Sequence, residues 1–466
     1  MIFGAPGCGK TTYLIELLQS LLEVNEPDKI AFVSFTRKGS YEGRDKAIEK
    51  FSLKEKDFPF FRTIHSLAFR SLGMSKYEMI SRKNYREFSK AMGMNFLGYY
   101  TEDLVSNDDQ YLFYNSLQKN NRVKSEEVLE NLNFQTAKCV SKNYERYKDE
   151  AGVKDFDDLL VDFIKNSEAL PVDIAIIDEA QDLTTLQWEF CKVAFKNCKQ
   201  VFIAGDDDQA IYEWSGADLK QFLSLTKESE ITVLDKSFRL KEDILNFAKK
   251  ITGKITNRVE KEFAPVNKGG NIFFHNSIED ISINSEESYY FLSRNNWYLS
   301  KIKVFLRKKG VLYNHKGKLS INISVFNAIK QYEHYRKNSP DKILQSQMIR
   351  GLLKQNVTSW GPWFDVFDME LEDKNYLRDL VKNKTDLKKC NITVSTIHGV
   401  KGGEADNVVL KLDMTKSVYK SYIGKAEAHE SELRCLYVAL TRTKKNLHII
   451  YSDTKFGYDD IVRSLI

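Results

Sequence analysis

Short runs of β-branched and aromatic residues recur along the chain and alternate with stretches of helical periodicity. Continuously apolar strands are typical of parallel sheets buried on both faces, and parallel strands need a crossover helix between them. The runs predicted to be strands are Ile30–Phe35, Ile174–Ile177, Val201–Ala204, Ile231–Leu234, Tyr289–Leu292, Ile392–Ser395, Val408–Leu412 and Leu447–Tyr451. The predicted fold class is therefore α/β, with parallel sheets covered by helices.

Two stretches lack this alternation of strands and helices. The first, from about Phe69 to Gly152, is polar and helix-like, and the second, from about Asn296 to Lys389, is rich in lysine, asparagine and aromatic residues. A chain of 466 residues exceeds what one hydrophobic core usually organises, so several domains are expected. Both stretches are predicted to be insertions into larger domains.

The composition, 42% hydrophobic and 29% charged, is typical of a globular protein. No apolar run reaches the length of a membrane span, and the N-terminus lacks a secretory signal, so no membrane association and a cytoplasmic location are predicted. A net charge of +5 permits nucleic-acid binding without demonstrating it. The six cysteines form no Cys-x-x-Cys pair, so no zinc site is predicted.

The segment Gly4-Ala5-Pro6-Gly7-Cys8-Gly9-Lys10-Thr11 fits the pattern G-x-x-x-x-G-K-[ST]. Leucines at helical spacing predict an amphipathic helix directly after it: Leu14, Leu17, Leu18, Leu21 and Leu22. In such a loop, backbone N–H groups bind phosphate oxygens, the lysine reaches the β- and γ-phosphates, and the threonine hydroxyl ligates Mg²⁺. The predicted nucleotide-binding residues are Gly4, Ala5, Gly7, Cys8, Gly9, Lys10, Thr11 and Thr12.

A pair of carboxylates follows the apolar run Ile174–Ile177, in the sequence Asp178-Glu179-Ala180-Gln181. Ligands of parallel sheets bind at the carboxyl ends of the strands, where this pair is placed. Asp178 is predicted to hold Mg²⁺, and Glu179 to polarise an attacking water molecule. The alternative, a solvated acidic turn, does not suit a pair that follows four buried residues.

The segment Gly205–Ala217 joins a polar loop, Asp206-Asp207-Asp208-Gln209, to two aromatic residues, Tyr212 and Trp214. Aromatic faces stack on any nucleic-acid base, and each stack is worth about 1–3 kcal/mol. The alternative for both aromatic residues is packing in a hydrophobic core.

Together, these three segments resemble motifs I, II and III of UvrD/Rep-like superfamily 1 DNA helicases. The resemblance implies that Gln209 senses the γ-phosphate of ATP and that Tyr212 and Trp214 contact DNA bases. It also implies two RecA-like P-loop motor domains with parallel sheets, each carrying an inserted subdomain, with ATP and Mg²⁺ at the interface of the two cores.

Two further segments of the first half are similar to DNA-facing motifs of this family. Phe35-Thr36-Arg37-Lys38 resembles motif Ia, which implies that Phe35 and Thr36 contact DNA and that Arg37 lies near the nucleotide. Arg62–Ser66 resembles the next motif, in which Thr63 and His65 grip DNA phosphates. The segment Asp155–Leu160 matches a family signature, with a helix N-cap and packing face as the alternative role.

Three segments of the second half complete the resemblance. Lys236–Leu240 resembles motif IV, which implies that Arg239 contacts the γ-phosphate and Phe238 the adenine. Thr396–Glu404 resembles motif V, and Glu432–Arg442 resembles motif VI, with Arg442 as the arginine finger. Motif V implies DNA contacts from Thr396, His398 and Lys401, and nucleotide contacts from Gly402 and Glu404.

The resemblance divides the chain into six segments. The first motor core comprises residues 1–68 and 153–235, with a mostly helical insertion at 69–152. The second core comprises 236–295 and 390–466, with a reduced accessory insertion at 296–389. Within that insertion, the segment Trp360-Gly361-Pro362-Trp363 is predicted to form a small aromatic core.

Four departures from the family pattern carry expectations of their own. No glutamine motif precedes Gly4, so weak adenine selectivity is expected. Ser215 stands where the family often has arginine, so one DNA contact is expected to be lost. In motif V, Val400 and Gly403 replace the usual serine and leucine. The short insertion at 296–389 and the end of the chain soon after motif VI predict a compact motor with little autoinhibition.

The predicted function is that of an ATP-dependent translocase on single-stranded DNA and a DNA helicase, with 3′-to-5′ polarity implied by the resemblance. Expected partners are single-stranded DNA, single-strand/double-strand junctions and replication or repair proteins, for a monomer or weak oligomer in the cytoplasm, or in the host cytoplasm if phage-encoded. Alternatives are a translocase that removes DNA-bound proteins with little unwinding, a nucleotide-gated DNA-binding scaffold with vestigial hydrolysis, and an RNA helicase.

Overall fold

The computed structural model describes residues 1–34, 44–45, 48–51, 54–98, 108–121, 132–355 and 357–466. These residues form two compact units. The first unit comprises Met1–Lys268 and Tyr422–Val438, and the second comprises Gly269–Ser421 and Ala439–Ile466. No helix among the described residues is long and apolar enough to cross a membrane.

The first unit is built on a parallel sheet with the order β3-β2-β4-β5-β1-β6 among its described strands. The strands are β1 (Ile2–Gly4), β2 (Ile30–Ser34), β3 (Phe61–Thr63), β4 (Ile174–Asp178), β5 (Gln200–Gly205) and β6 (Thr232–Leu234). The four strands predicted in this half are confirmed to within a residue or so at each end, although Phe35 lies outside the described residues.

Helices cover both faces of this sheet, as the continuously apolar strands predict. On one face, the helix α1 (Lys10–Leu22) packs through Leu14 and Leu18 against Phe32 and Ile176. The intervening strand residues, such as Val33 and Ile177, face a second core. That core also receives α2 (Ile64–Ser71), α6 (Phe156–Asn166) and α7 (Thr185–Ala194). The predicted apolar stripe on α1 is confirmed.

The stretch predicted to be a helical insertion contains α3 (Arg82–Met92), α4 (Asp109–Asn121) and α5 (Phe134–Ala151). Phe88, Phe96, Leu112, Val140 and Tyr144 form a small core of their own. A buried polar contact joins these helices to α6, because the Lys148 ammonium lies 2.6 Å from both Asp155 and Asp158. Asp155 also accepts a hydrogen bond from the Asp158 N–H and caps α6, which confirms the N-cap alternative for this segment.

The chain after β6 stays with the first unit. It forms the parallel pair β7 (Lys236–Lys241) and β8 (Ala264–Asn267), with α9 (Glu242–Thr252) between them. The short helix α8 (Leu219–Ser224) lies before β6. Parts of α15 (Lys416–Gly424) and α16 (Ala426–Leu440) also belong to this unit. Contacts therefore group residues 236–268 and 422–438 with the first sheet, whereas the sequence-based boundaries place them in the second core.

The second unit has a sheet with the order β12-β11-β13-β10-β14-β15-β9 among its described strands. All neighbouring strands are parallel except in the short hairpin β11–β12. The strands are β9 (Asn271–His275), β10 (Tyr289–Ser293), β11 (Asn314–His315), β12 (Lys318–Leu319), β13 (Ile392–Thr396), β14 (Ala405–Lys411) and β15 (Thr443–Ile450). The four predicted strands are again confirmed, and β9, β11 and β12 were not predicted.

The stretch 296–389 contributes to two cores. Its first helix, α10 (Asn296–Lys308), packs through Leu299 and Phe305 on the sheet. The remaining helices surround a separate aromatic cluster in which Trp363 is buried and Trp360 partly buried, as the sequence predicts. These helices are α11 (Ile323–Asn338), α12 (Gln347–Arg350), α13 (Trp363–Val366) and α14 (Leu371–Lys382). Outside this stretch, α17 (Asp459–Arg463) follows β15. The mixed α/β class with parallel sheets is confirmed.

Candidate nucleotide and nucleic-acid site

The glycine-rich loop connects β1 directly to α1. Gly7 and Gly9 adopt positive φ angles of 74° and 78°, a region that side chains rarely occupy. A Cβ atom on Gly7 would lie 2.2 Å from the Cβ atom of Arg239, so only glycine fits there. The first N–H groups of α1 have no partner within the helix, and together with the helix dipole they form an anion site. Thr11 and Thr12 lie in this first turn.

Lys10 faces several carboxylates. Its ammonium donates a 3.3 Å hydrogen bond to the Gly4 carbonyl oxygen. Burial by itself lowers the pKa of Lys10, but the carboxylates of Glu179, Asp206 and Asp178 outweigh burial, so the pKa lies above its ordinary value. Lys10 is therefore held as a cation at the loop, as a phosphate-binding lysine must be.

Asp178 and Glu179 stand at the carboxyl end of β4. Glu179 has a φ of 53°, an uncommon backbone conformation for a residue with a side chain and one that tends to occur at functional sites. Asp178 is buried and its Oδ1 accepts a 2.9 Å hydrogen bond from the Glu179 N–H. A buried carboxylate here and a threonine hydroxyl at the start of α1 are hard oxygen donors, the type of ligand that suits Mg²⁺.

A chain of hydrogen bonds runs from Glu179 to Gln209. The Gln181 Nε2 donates to the Glu179 carboxylate at 2.6 Å, and the Gln181 Oε1 accepts from the Asp206 N–H at 2.9 Å. The Gln209 Nε2 then donates to the Asp206 Oδ2 at 2.6 Å. The predicted water-polarising carboxylate and the predicted γ-phosphate sensor are thus joined through Gln181 and Asp206, two residues that sequence reasoning did not assign to the site.

Cations from distant segments neutralise the acidic loop 206–208. Lys261 and Arg258 pair with its carboxylates, and Arg434 donates to the Asp207 carbonyl oxygen at 3.0 Å and to the Asn257 carbonyl oxygen at 2.6 Å. Sequence reasoning missed all three cations. Arg434 lies within the segment that resembles motif VI, and this was the only sequence feature that could have indicated its role. Lys261 and Arg258 lie in no segment that resembles a motif.

The motif IV segment lies against the glycine-rich loop. The Phe238 N–H donates to the Gly7 carbonyl oxygen, and the Ser237 hydroxyl donates to the Pro6 carbonyl oxygen, both at 2.8 Å. Phe238 keeps 60% of its surface exposed, which leaves its ring available for stacking. The predicted nucleotide residues Phe238 and Arg239 are therefore adjacent to the loop. Arg37, Phe35 and Thr36 lie outside the described residues.

Tyr212 and Trp214 follow Gln209 in a loop that is itself well ordered by hydrogen bonds. The Tyr212 carbonyl oxygen accepts from the N–H groups of Ser215 and Ala217 at 3.0 and 3.2 Å. Both aromatic rings are half-buried, and the Trp214 ring packs 5.9 Å from that of Phe113. Burial, followed by the charges of Asp182 and Glu179, raises the pKa of Tyr212. The Trp214 ring thus combines a packing contact with an exposed part, and the Tyr212 ring is also partly exposed.

Thr63 and His65 lie at the start of α2. The Thr63 hydroxyl accepts from the Ser66 N–H at 3.4 Å and caps this helix. Burial lowers the pKa of His65 to about 4, so its imidazole is neutral at pH 7. Its ring packs edge-on against the exposed Phe156, with 5.6 Å between centroids. A phosphate contact from His65 would therefore be a neutral hydrogen bond.

The motif V residues lie in the second unit, after β13. Thr396 ends this strand and its hydroxyl accepts from the Gly399 N–H at 3.3 Å, while His398 is buried in the following turn. Lys401 and Gly402 follow, the latter with a φ of 77°, and Glu404 pairs with Lys444 at 2.8 Å.

The surroundings of Gly403 leave little room for a side chain. A Cβ atom on Gly403 would lie 2.5 Å from the Tyr290 hydroxyl, so the leucine that is usual in the family would displace this tyrosine.

Arg442 belongs to the second unit and is 1% exposed. Its guanidinium donates to the Thr441 hydroxyl at 3.2 Å and to the Gly403 carbonyl oxygen at 3.4 Å. Its predicted role as an arginine finger stays a prediction.

One acidic cluster, Glu145, Asp155 and Asp158, has spacing suitable for a metal ion. Lys119 and Lys148 already occupy the space between these carboxylates as ion-pair partners. This cluster is therefore a salt-bridge network, and it contains neither of the predicted magnesium ligands, Thr11 and Asp178.

A parallel sheet with a phosphate-binding loop after β1 and an Asp-Glu pair after β4 defines a RecA-like P-loop core, and the second parallel sheet fits a second core of the same class. Comparisons with known proteins give the family. Residues 1–230 match the UvrD/REP helicase N-terminal domain, and residues 343–451 match the viral superfamily 1 RNA helicase core domain. These matches, together with the relatives named below, support a UvrD/Rep-like superfamily 1 DNA helicase.

Several relatives are named as DNA helicases. ATP-dependent DNA helicase Rep of Buchnera aphidicola is 25% identical, over 58% of this chain and 45% of that protein. ATP-dependent DNA helicase PcrA of Staphylococcus epidermidis is 21% identical, over 83% and 52%, and a probable DNA helicase II homolog of Rickettsia conorii is 24% identical, over 100% and 92%. The chain thus spans about half the length of the Rep and PcrA relatives.

Among solved structures, a PRRSV helicase aligns with 97% of this chain and 51% of its own, at 10% identity and a TM-score of 0.36.

Proposed function

We propose that this protein is an ATP-dependent translocase on single-stranded DNA and a DNA helicase with 3′-to-5′ polarity. The observation that carries the proposal is the hydrogen-bonded chain from Glu179 through Gln181 and Asp206 to Gln209, followed within five residues by Tyr212 and Trp214. One loop thereby joins the predicted γ-phosphate sensor to the predicted base contacts. A nucleotide moves DNA only if its bound states differ in DNA affinity, and such a loop supplies that difference.

On the nucleotide side, Lys10 would neutralise the β- and γ-phosphates, and Glu179 would accept the proton of the attacking water. Thr11 and Asp178 would hold Mg²⁺, which when bound neutralises phosphate charge. Gln209, Arg239 and Arg442 are proposed to contact the transferring phosphoryl group. The remaining proposed nucleotide contacts are Gly4, Ala5, Gly7, Cys8, Gly9, Thr12, Arg37, Phe238, Gly402 and Glu404.

On the DNA side, stacking on Tyr212 and Trp214 would bind bases without sequence preference. Hydroxyl, imidazole and ammonium groups would contact the phosphates, as is usual for positioning contacts. The proposed residues for these contacts are Thr36, Thr63, His65, Thr396, His398 and Lys401, and Phe35 is a further proposed DNA contact. Single-strand/double-strand junctions are the proposed substrates, with replication or repair proteins as partners of a monomer or weak oligomer.

The test is strand displacement with ATP on duplexes that carry either a 3′ or a 5′ single-stranded tail. The proposal expects unwinding of the 3′-tailed substrate, dependence on ATP, and loss of activity in Lys10→Ala. Unwinding of only the 5′-tailed substrate would contradict the polarity. DNA-stimulated ATP hydrolysis with removal of bound proteins but no unwinding would instead identify a translocase, and binding of DNA without hydrolysis would identify a scaffold.

A further inference from the structure

Three consecutive carboxylates, Asp206, Asp207 and Asp208, are fully buried beside Gln209. Buried charges are strongly unfavourable unless they are paired and hydrogen-bonded. This loop therefore depends on cations supplied by other parts of the first unit.

Those cations come from the segment after α9. The Lys261 ammonium lies 3.1 Å from the Asp206 Oδ1 and 3.0 Å from the Asp208 Oδ2, and it also bonds Asp207. Arg258 makes a two-point contact with the Asp208 carboxylate, at 2.8 and 2.7 Å. Burial by itself lowers the pKa of Lys261, but the three carboxylates outweigh it and raise the pKa, so Lys261 stays charged.

Asp206 is shared between Lys261 and the predicted sensor. Lys261 contacts the Oδ1 atom of Asp206, while the Gln209 amide donates to the Oδ2 atom. The Asp206 N–H donates to the Gln181 Oε1, and the Gln181 Nε2 donates to the Glu179 carboxylate. Replacing Lys261 would therefore affect Gln209 through the Asp206 carboxylate, which contacts both residues.

We propose that Lys261 is a positioning residue for the γ-phosphate sensor: it holds the Asp206 carboxylate in the orientation that points the Gln209 amide at the nucleotide. This proposal rests on the nucleotide-binding part of the proposed function. Residues that orient metal ligands through a hydrogen bond typically change metal affinity or activity by about 10–100-fold when they are replaced, and we expect an effect of similar size for Lys261.

Substitutions of Arg258 and Lys148 serve as controls that distinguish this positioning role from simple charge neutralisation. Arg258 lies in the same segment as Lys261 but contacts Asp208 and not Asp206 in any described hydrogen bond or ion pair. Lys148 is equally buried and pairs with Asp155 and Asp158, away from the glycine-rich loop. Replacing Arg258, which is half-buried, or Lys148, which is buried, would remove a paired cation without removing a contact to the Asp206 carboxylate.

The experiment compares Lys261→Met with Arg258→Met and Lys148→Met, after each variant is shown to be folded by circular dichroism. The first readout is the ratio of affinities for ATPγS and ADP, which needs no hydrolysis or DNA. We expect Lys261→Met to lower this ratio about tenfold, and Lys148→Met to leave it unchanged, with Arg258→Met closer to Lys148→Met. An unchanged ratio in Lys261→Met would overturn the proposal, whether or not the protein unwinds DNA.

The second readout is kcat for DNA-stimulated ATP hydrolysis in a double-mutant cycle with Gln209→Ala. If Lys261 acts through Gln209, Lys261→Met should lower kcat in the wild-type background and have little further effect in Gln209→Ala. Additive effects would refute this route. Should Lys261→Met fail to fold, Lys261→Gln replaces it, since its amide can still donate to Asp206; a smaller fall in the same direction is then expected.

Discussion

The backbone N–H of Phe238 donates a 2.8 Å hydrogen bond to the carbonyl oxygen of Gly7. This bond ties the residues that follow β6 to the middle of the glycine-rich loop. The neighbouring Arg239 lies so close that position 7 has no room for a side chain. The loop and the motif IV segment are therefore packed as one piece of the first unit.

Gly7→Ala should disrupt this packing. The substitution adds a Cβ atom 2.2 Å from the Arg239 Cβ and at the same time strains a φ of 74°, so the loop must shift. We expect ATP affinity to fall at least tenfold and the melting temperature to decrease, measured with a fluorescent ATP analogue and by thermal unfolding. Wild-type ATP affinity in Gly7→Ala would contradict the observed packing.

Gly93→Ala is the matched control for that substitution. Gly93 caps α3 with a φ of 65°, but a Cβ atom there would meet no atom within 4 Å. The variant should lose stability by about 1–2 kcal/mol from backbone strain alone and keep wild-type ATP affinity.

Glu179→Gln should separate binding from turnover. The amide keeps the size of the side chain and removes the base, so ATP binding is retained while kcat falls by about 10²–10⁴-fold. Steady-state hydrolysis and equilibrium ATP binding measure the two effects. Glu16→Gln, on the exposed face of α1, should behave as wild type. Hydrolysis by Glu179→Gln at the wild-type rate would exclude Glu179 as the base.

Trp214→Ala should weaken binding of single-stranded oligonucleotides by about 1–3 kcal/mol, because a stacking surface is lost. Fluorescence anisotropy with a labelled oligo-dT measures this, and Trp214→Phe should retain most of the affinity. The packing of Trp214 on Phe113 also predicts a lower melting temperature for the alanine variant. A lower melting temperature with an unchanged Kd would show that Trp214 serves only the core.

The Ser116 hydroxyl and the Asn120 amide of α4 donate hydrogen bonds to the Asp157 carboxylate of α6, and the titration of Asp157 should make stability pH-dependent. Burial, followed by the charge of Asp155, raises the pKa of Asp157 from 3.8 to about 6, against hydrogen bonds from Ser116 and Asn120 and the charge of Lys119. The folded state therefore binds this proton more tightly than the unfolded chain, and the associated stability is lost as pH rises from about 4 to about 6.

Asp157→Asn removes this titration. The urea midpoint of the wild type should fall relative to that of the variant as pH rises through the same window, and the difference should be constant above about pH 7. Asp149→Asn, an exposed position on α5, should follow the wild type at every pH. A wild-type to Asp157→Asn difference that does not change between pH 4 and 6 would count against a raised pKa.

Local pattern was sufficient for much of the fold. The strands Ile174–Asp178 and Ile392–Thr396 and the helix Lys10–Leu22 were predictable because periodicity and glycine placement are written in consecutive residues. The resemblance to UvrD/Rep-like helicases was visible for the same reason, since each motif is a short contiguous segment. The N-cap role of Asp155 was predictable as an alternative because a capping box needs only four residues.

Tertiary structure alone decided which distant residues meet. Gln181 joins Glu179 to Asp206 across two strand ends, and Lys261 lies 55 positions from Asp206 in the sequence, so no local pattern connects them. A Cβ atom on Gly403 would lie 2.5 Å from the Tyr290 hydroxyl, a contact between residues far apart in the sequence. The sequence determined the fold class and the chemical groups of the site, since these depend on local spacing. The pairing of buried charges was decided by the fold, since it depends on distances that local spacing does not specify.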